Sequence, residues 1–143
     1  MRHSYFPDIN LWLALSSGNH MHYEAAWAWY RSLAESEELY FCRQTQLGLL
    51  RLLTSKSAIA DMVCTQRAAW QVYEQWRIKS SVGFLDEPAG IDAIFRAATD
   101  RDEVSPKVWT DAYLSAFAEA AGLTLVTFDK ALAGKAKGGV LLT

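Results

Sequence analysis

Apolar residues recur along this chain in two rhythms. In some stretches they return every three to four residues, as on one face of a helix. In others they alternate or run together briefly between turn residues, as in strands. Ser4–Pro7 is short and aromatic and predicts a first strand. Pro7 is tolerable only at its end, because proline donates no ladder hydrogen bond. Residues 9–15 predict a short apolar helix. After the break at Gly18-Asn19, residues 20–34 predict a second, with Ala26, Trp29, Tyr30 and Leu33 as its apolar stripe. Residues 38–42 predict a strand and Arg43–Leu53 a leucine-rich helix. Residues 65–77 predict a helix with Ala69, Val72, Tyr73 and Trp76 on one side, and residues 82–85 a third strand. A helix over 89–99 follows. Ser105-Pro106 signals another helix start, with Ser at the cap and Pro in the first turn, and Gly122 stops that helix. Its Ala112, Ala116 and Ala120 form a small-residue stripe suited to close approach to a sheet. Residues 123–128 are almost continuously apolar, as in a strand covered on both faces, and residues 140–142 predict a last short strand. Strands separated by helices imply an α/β domain around a mostly parallel sheet, with residues 1–143 forming one unit.

Composition limits the function classes. Half the chain is hydrophobic (51%) and 21% is charged, the profile of an ordinary globular protein. A net charge of −2 gives no general attraction for polyanions, so a nucleic-acid surface would have to be a local basic patch. Cys42 and Cys64 lie in no CxxC or His-rich context, which argues against zinc. Two lone thiols and no apolar leader fit a reducing cytoplasm. No run approaches the roughly 18 apolar residues of a membrane span.

The informative residues are acids. In open parallel sheets, ligands bind outside the carboxyl ends of the strands. Asp8 follows the first strand and Asp129 follows the strand at 123–128. Asp111 lies in the second turn of the helix expected from Ser105, whose start belongs to that same edge. Two carboxylates about 4 Å apart repel by about 4 kcal/mol at an effective dielectric of about 20. Such a cluster protonates one member or binds a cation, and a hard divalent ion with oxygen ligands is the natural answer. An acid after a strand is more often a turn former or a helix cap, and Asp8 alone would be read that way. Three convergent acids point instead to Mg²⁺, with Mn²⁺ possible. Thr127, two positions before Asp129, could orient that acid, and Asn10 could do the same for Asp8 or simply cap a helix.

Asp8-Ile9-Asn10 after an opening strand, Thr110-Asp111-Ala112 at a helix start and Val126-Thr127-Phe128-Asp129 at a strand end resemble the PIN domain. Residues 42–53 and 20–26 are similar to its VapC toxin branch. The resemblance runs from about residue 5 to 142 and rests on the order and spacing of motifs that are individually unspecific. It implies a three-layer α/β/α sandwich and a Mg²⁺-dependent endoribonuclease acting on RNA, often tRNA or rRNA. It also implies a homodimer and a cognate VapB-type antitoxin. Asp8, Asp111 and Asp129 match the acidic metal-site positions. Where the wider family places a Glu after the second strand, this chain has Gln44 and Gln46, and Gln46 is the better match. A neutral amide there removes one negative charge and weakens any second metal site.

Arg43 shares a helix face with Gln46, Lys107 lies one turn before Asp111, and Lys130 follows Asp129. Together they would supply positive charge for RNA phosphates. His20 and His22, two apart on a helix, point to different faces and read as surface residues. Among the tryptophans, Trp12, Trp29, Trp70 and Trp76 read as core or a dimer seam, and Trp109 as a candidate RNA contact. The competing reading is a non-catalytic PIN-like module that binds RNA or protein. Related phosphotransfer folds fit less well, because a haloacid-dehalogenase-type phosphatase wants Asp-x-Asp where this chain has Asp8-Ile9-Asn10.

Overall fold

Five short strands, β1 (Ser4–Pro7), β2 (Glu38–Phe41), β3 (Val82–Phe84), β4 (Thr124–Thr127) and β5 (Val140–Leu141), join in one sheet ordered β3-β2-β1-β4-β5. The structure is a computed structural model that describes residues 3–143. Every pairing is parallel, with Tyr5 opposite Leu39, Phe6 opposite Leu125, Phe41 opposite Phe84 and Val126 opposite Val140. Successive strand residues face opposite ways, and this alternation divides the core. Leu39, Phe41 and Val126 pack on one face; Phe6, Tyr40 and Leu125 pack on the other.

The first face is covered by α1 (Ile9–Ser16), α2 (Tyr23–Arg31), α3 (Arg43–Leu53), α4 (Lys56–Ile59) and α5 (Gln66–Arg77). Its centre is aromatic: Trp12 stacks on Phe41 with ring centroids 3.9 Å apart, and Trp76 meets Trp12 edge-on. Fully burying one such ring stabilises the fold by roughly 1.5–3 kcal/mol. The second face is covered by α6 (Ile91–Thr99), α7 (Val108–Ala121) and α8 (Lys130–Lys135). Ala112 and Ala116 of the small-residue stripe are buried there, and Phe6 stacks on Phe117. Three layers result, the α/β/α sandwich that the resemblance implied.

Several boundaries differ from expectation. The helix expected from Ser105 begins at Val108, with Lys107 at its cap. Lys107 already has helical backbone angles (φ −85°, ψ −13°), so Ser105-Pro106 lead into the helix through a turn. Asp111 therefore stands in the first turn, not the second. The helix expected over 20–34 contracts to α2. Neither α4, nor the 3-10 turn Ala60–Met62, nor α8 was anticipated. Of the tryptophans read as core or a dimer seam, Trp12 and Trp76 are buried and Trp29 is half-buried. Among large apolar side chains, the exposed aromatics are Trp70 (46%) and Trp109 (53%). No helix among the described residues is long and apolar enough to cross a membrane.

Candidate metal centre

An all-parallel sheet puts the carboxyl ends of its strands on one edge, and the acids gather there. The Asp8 backbone N–H extends the β1–β4 ladder by donating to the Val126 carbonyl (3.1 Å). This fixes Asp8 beside Thr127. The Asp8 side chain is only 4% exposed. Its Oδ1 accepts from the Leu11 N–H (2.8 Å), which caps α1, and its Oδ2 accepts from the Thr127 hydroxyl (2.5 Å). Thr127 Oγ1 accepts in turn from the Asp129 backbone N–H (2.9 Å). Asp129 Oδ1 accepts from the Ala131 and Leu132 N–H groups (2.8 and 3.2 Å), capping α8. Asp111 enters from the first turn of α7. Asp8, Asp111 and Asp129 line one hollow with Asn10, Thr110 and Arg51, walled by Leu52, Leu114 and Leu132.

Charge in this hollow is under strain. Burial pushes the Asp8 carboxyl up to about 6, and the negative charges of Asp129 and Asp111 push the same way. The hydrogen bonds from Thr127 and Leu11 oppose them. Burial and Asp129 also raise Asp111, against the attraction of Lys135. Three coupled, all-oxygen acids suit a hard divalent cation. Among the described residues, however, no three acidic, His or Cys side chains are drawn close enough to form a ready-made ligand cage. An ion that keeps several waters and takes only one or two carboxylates directly, as Mg²⁺ does, needs no such cage. Each carboxylate oxygen has two acceptor sites, so the caps leave coordination capacity free.

The sequence-derived candidates divide. Asn10 is at the hollow but exposed, and Leu11 rather than Asn10 holds Asp8. Thr127 was expected to orient the Asp129 carboxylate; its hydroxyl instead grips Asp8 and the backbone of Asp129. Gln46 is buried (5%), with Oε1 accepting from Arg43 Nη1 (2.5 Å), and does not line the hollow. Arg43 is also stacked over Phe84. Lys107 and Lys130 are exposed outside the lining. Trp109 packs edge-on to Phe95 of α6, away from the acids. His22 stacks on Phe128 and donates its backbone N–H to His20 Nδ1, so both histidines have structural roles. Two other cations come near: Arg51 lines the hollow, and Lys135 acts on the charge of Asp111. Neither carried a local sequence signal, because only the packing of α3 on α1 and of α8 on α7 brings them there.

Comparison with known proteins agrees with this architecture. The family model of the PIN domain matches residues 5–138. The chain is 41% identical over 128 residues to Ribonuclease VapC41 of Mycobacterium tuberculosis, covering 87% of this chain and 88% of that protein. Among solved structures it is similar to Mycobacterium tuberculosis VapC20, described as a Sarcin-Ricin loop cleaving toxin. That match has a TM-score of 0.67 and 15% identity and covers 91% of this chain and 93% of that one. It is also similar to VapBC2 of Rickettsia felis bound to a promoter DNA fragment, with a TM-score of 0.66, 13% identity and 96% of each chain covered. The chain belongs to the PIN-domain family, in the branch of the VapC ribonucleases.

Proposed function

We propose that this chain is a divalent-cation-dependent endoribonuclease, the toxin of a toxin–antitoxin pair, with Mg²⁺ as its ion. The observation that carries the reading is the shared hollow of Asp8, Asp111 and Asp129 at the carboxyl edge of a parallel sheet. Its support beyond geometry is membership in a branch whose 41%-identical relative is a named ribonuclease. Asp8 and Asp111 would hold the ion, with Asp129 bound directly or through water. A bound divalent ion lowers the pKa of a coordinated water and polarises a phosphoryl oxygen. The protein's own part is positioning. Thr127 and the Leu11 N–H fix the Asp8 carboxylate, and the α8 amides fix Asp129. Asp8 is buried at the base of the hollow, so charge interactions at its carboxylate are stronger than in bulk water. A VapB-type antitoxin fits the same hollow, because paired carboxylates suit a bidentate Arg as well as a metal ion.

The test is RNA cleavage with Mg²⁺ or Mn²⁺, and its abolition by EDTA. D8N and D111N should lose at least about a hundredfold in rate, the scale of removing one preorganised electrostatic group, while keeping native circular dichroism. Undiminished cleavage by either variant would end the assignment. Expression alone should slow growth, and co-expression with an antitoxin encoded beside it should restore growth.

A further inference from the structure

The positive charge at the hollow has one candidate source without another duty. Arg43 is bound to Gln46 and lies over Phe84. Arg77 donates to the Tyr73 hydroxyl, Arg96 pairs with Asp92, and Arg31 lies over Trp27. Arg51, in the last turn of α3, is exposed and lines the hollow with all three acids. Among the described residues its guanidinium has no ion pair, hydrogen bond or ring contact. We infer that Arg51 is the substrate-phosphate anchor, its guanidinium taking the non-bridging oxygens of an RNA phosphate at the mouth of the acidic hollow.

This inference rests on the ribonuclease reading and adds the group that reconciles it with electrostatics. Carboxylates that attract a metal ion repel a polyanion. Three carboxylates and one divalent cation leave one negative charge, and without the ion they leave more; Arg51 offsets that charge from the hollow itself, where a phosphate would enter. The need is acute in a chain of net charge −2, which offers no general attraction to compensate. A guanidinium also suits the task by shape, because its planar fork meets two phosphate oxygens at once. Lys135, the other cation near the acids, offsets the charge of Asp111 from α8. Arg51 comes from α3, in the layer on the opposite face of the sheet. The two cations thus approach the acids from different sides of the sandwich, and Arg51 is the one that lines the hollow itself.

Binding of a fluorescent single-stranded RNA oligonucleotide, measured in EDTA across a range of KCl concentrations, tests this directly. R51A should weaken binding about tenfold, the loss of one charge-assisted contact. Its plot of log affinity against log salt should be shallower by about 0.7, the value for one phosphate contact on a single strand. R51K should keep the slope and bind with intermediate affinity, because it restores the charge without the fork. K79A, at the opposite end of the sheet just before β3, should match the wild type in both. With Mg²⁺, R51A should raise KM more than it lowers kcat. A purely structural Arg51 would not change the salt slope, so an R51A variant that melts normally and keeps wild-type affinity and slope overturns the inference. If R51A does not fold, R51K decides: a wild-type affinity in R51K refutes the bidentate anchor. If the wild type cleaves no RNA with either ion, the ribonuclease reading fails, while the binding measurements still judge Arg51 on their own.

Discussion

Thr127 carries no charge, yet it joins two of the three acids. Replacing it by Val keeps the shape and removes the hydroxyl, leaving Asp8 Oδ2 without its donor and the Asp129 N–H without its acceptor. Losing such buried partners costs about 1–3 kcal/mol. T127V should therefore lower the urea midpoint and slow cleavage, and T127S should be much milder. Asp8 itself makes stability depend on pH. Its folded carboxyl sits at about 6, above the ordinary 3.8, so the folded chain holds that proton more tightly than the unfolded chain. The resulting stabilisation is complete below the unfolded value and is lost as pH rises through about 6, at most about 3 kcal/mol in all. Metal-free protein should consequently melt higher at pH 5 than at pH 7.5 as far as this group decides. D8N should flatten that dependence, and Mg²⁺ should raise the melting point more at pH 7.5 than at pH 5. Gln46 tells a different story from the one its sequence position suggested. A Glu at 46 would meet the Arg43 guanidinium first, so Q46E should leave Mg²⁺ affinity in calorimetric titration nearly unchanged. A clear tightening would put residue 46 back at the metal.

At the scale of elements, one side of the hollow rests on the crossing of α1 and α3. Gly48 lies in the α3 interior, where Ala would ordinarily be favoured by about 1 kcal/mol. A Cβ there would lie 2.6 Å from Ile9 Cγ1 and 2.9 Å from Cγ2, with Cδ1 closer still. All three belong to one β-branched side chain, so a single rotation cannot clear them. Overpacking of this kind costs about 1–3 kcal/mol and outweighs the gain in helix propensity. G48A should lower the melting point and, by displacing the residue next to Asp8, reduce cleavage as well. The long helices and the strands were legible because burial imposes a period on them. α4 and α8 span only four and six residues, too short for a period to show. The Ser105-Pro106 signal identified the right helix but misplaced its start, because Pro106 is equally suited to the turn that precedes it. The acids were legible for a topological reason: each ends a strand or begins a helix at one sheet edge. Arg51 and Lys135 were not, since only the packing of α3 on α1 and of α8 on α7 brings them near the acids.

For the whole molecule, the homodimer is an expectation from the family resemblance, and of the tryptophans read as core or a dimer seam Trp12 and Trp76 are buried. Trp70 on α5 and Trp109 on α7 remain exposed, and they lie on opposite layers of the sandwich. Sedimentation at micromolar concentration should give about twice the 16.0 kDa of the chain, and a single monomer peak would refute the dimer. Asp8 and Asp129 each cap a helix besides lining the hollow, and Asn caps a helix about as well as Asp. An Asp-to-Asn change at either position would thus remove a charge from the hollow while the helix it caps, and with it the fold, persists. Copies of this fold with and without the full charge of the hollow would then differ by one heavy atom per side chain, and their folds would look the same.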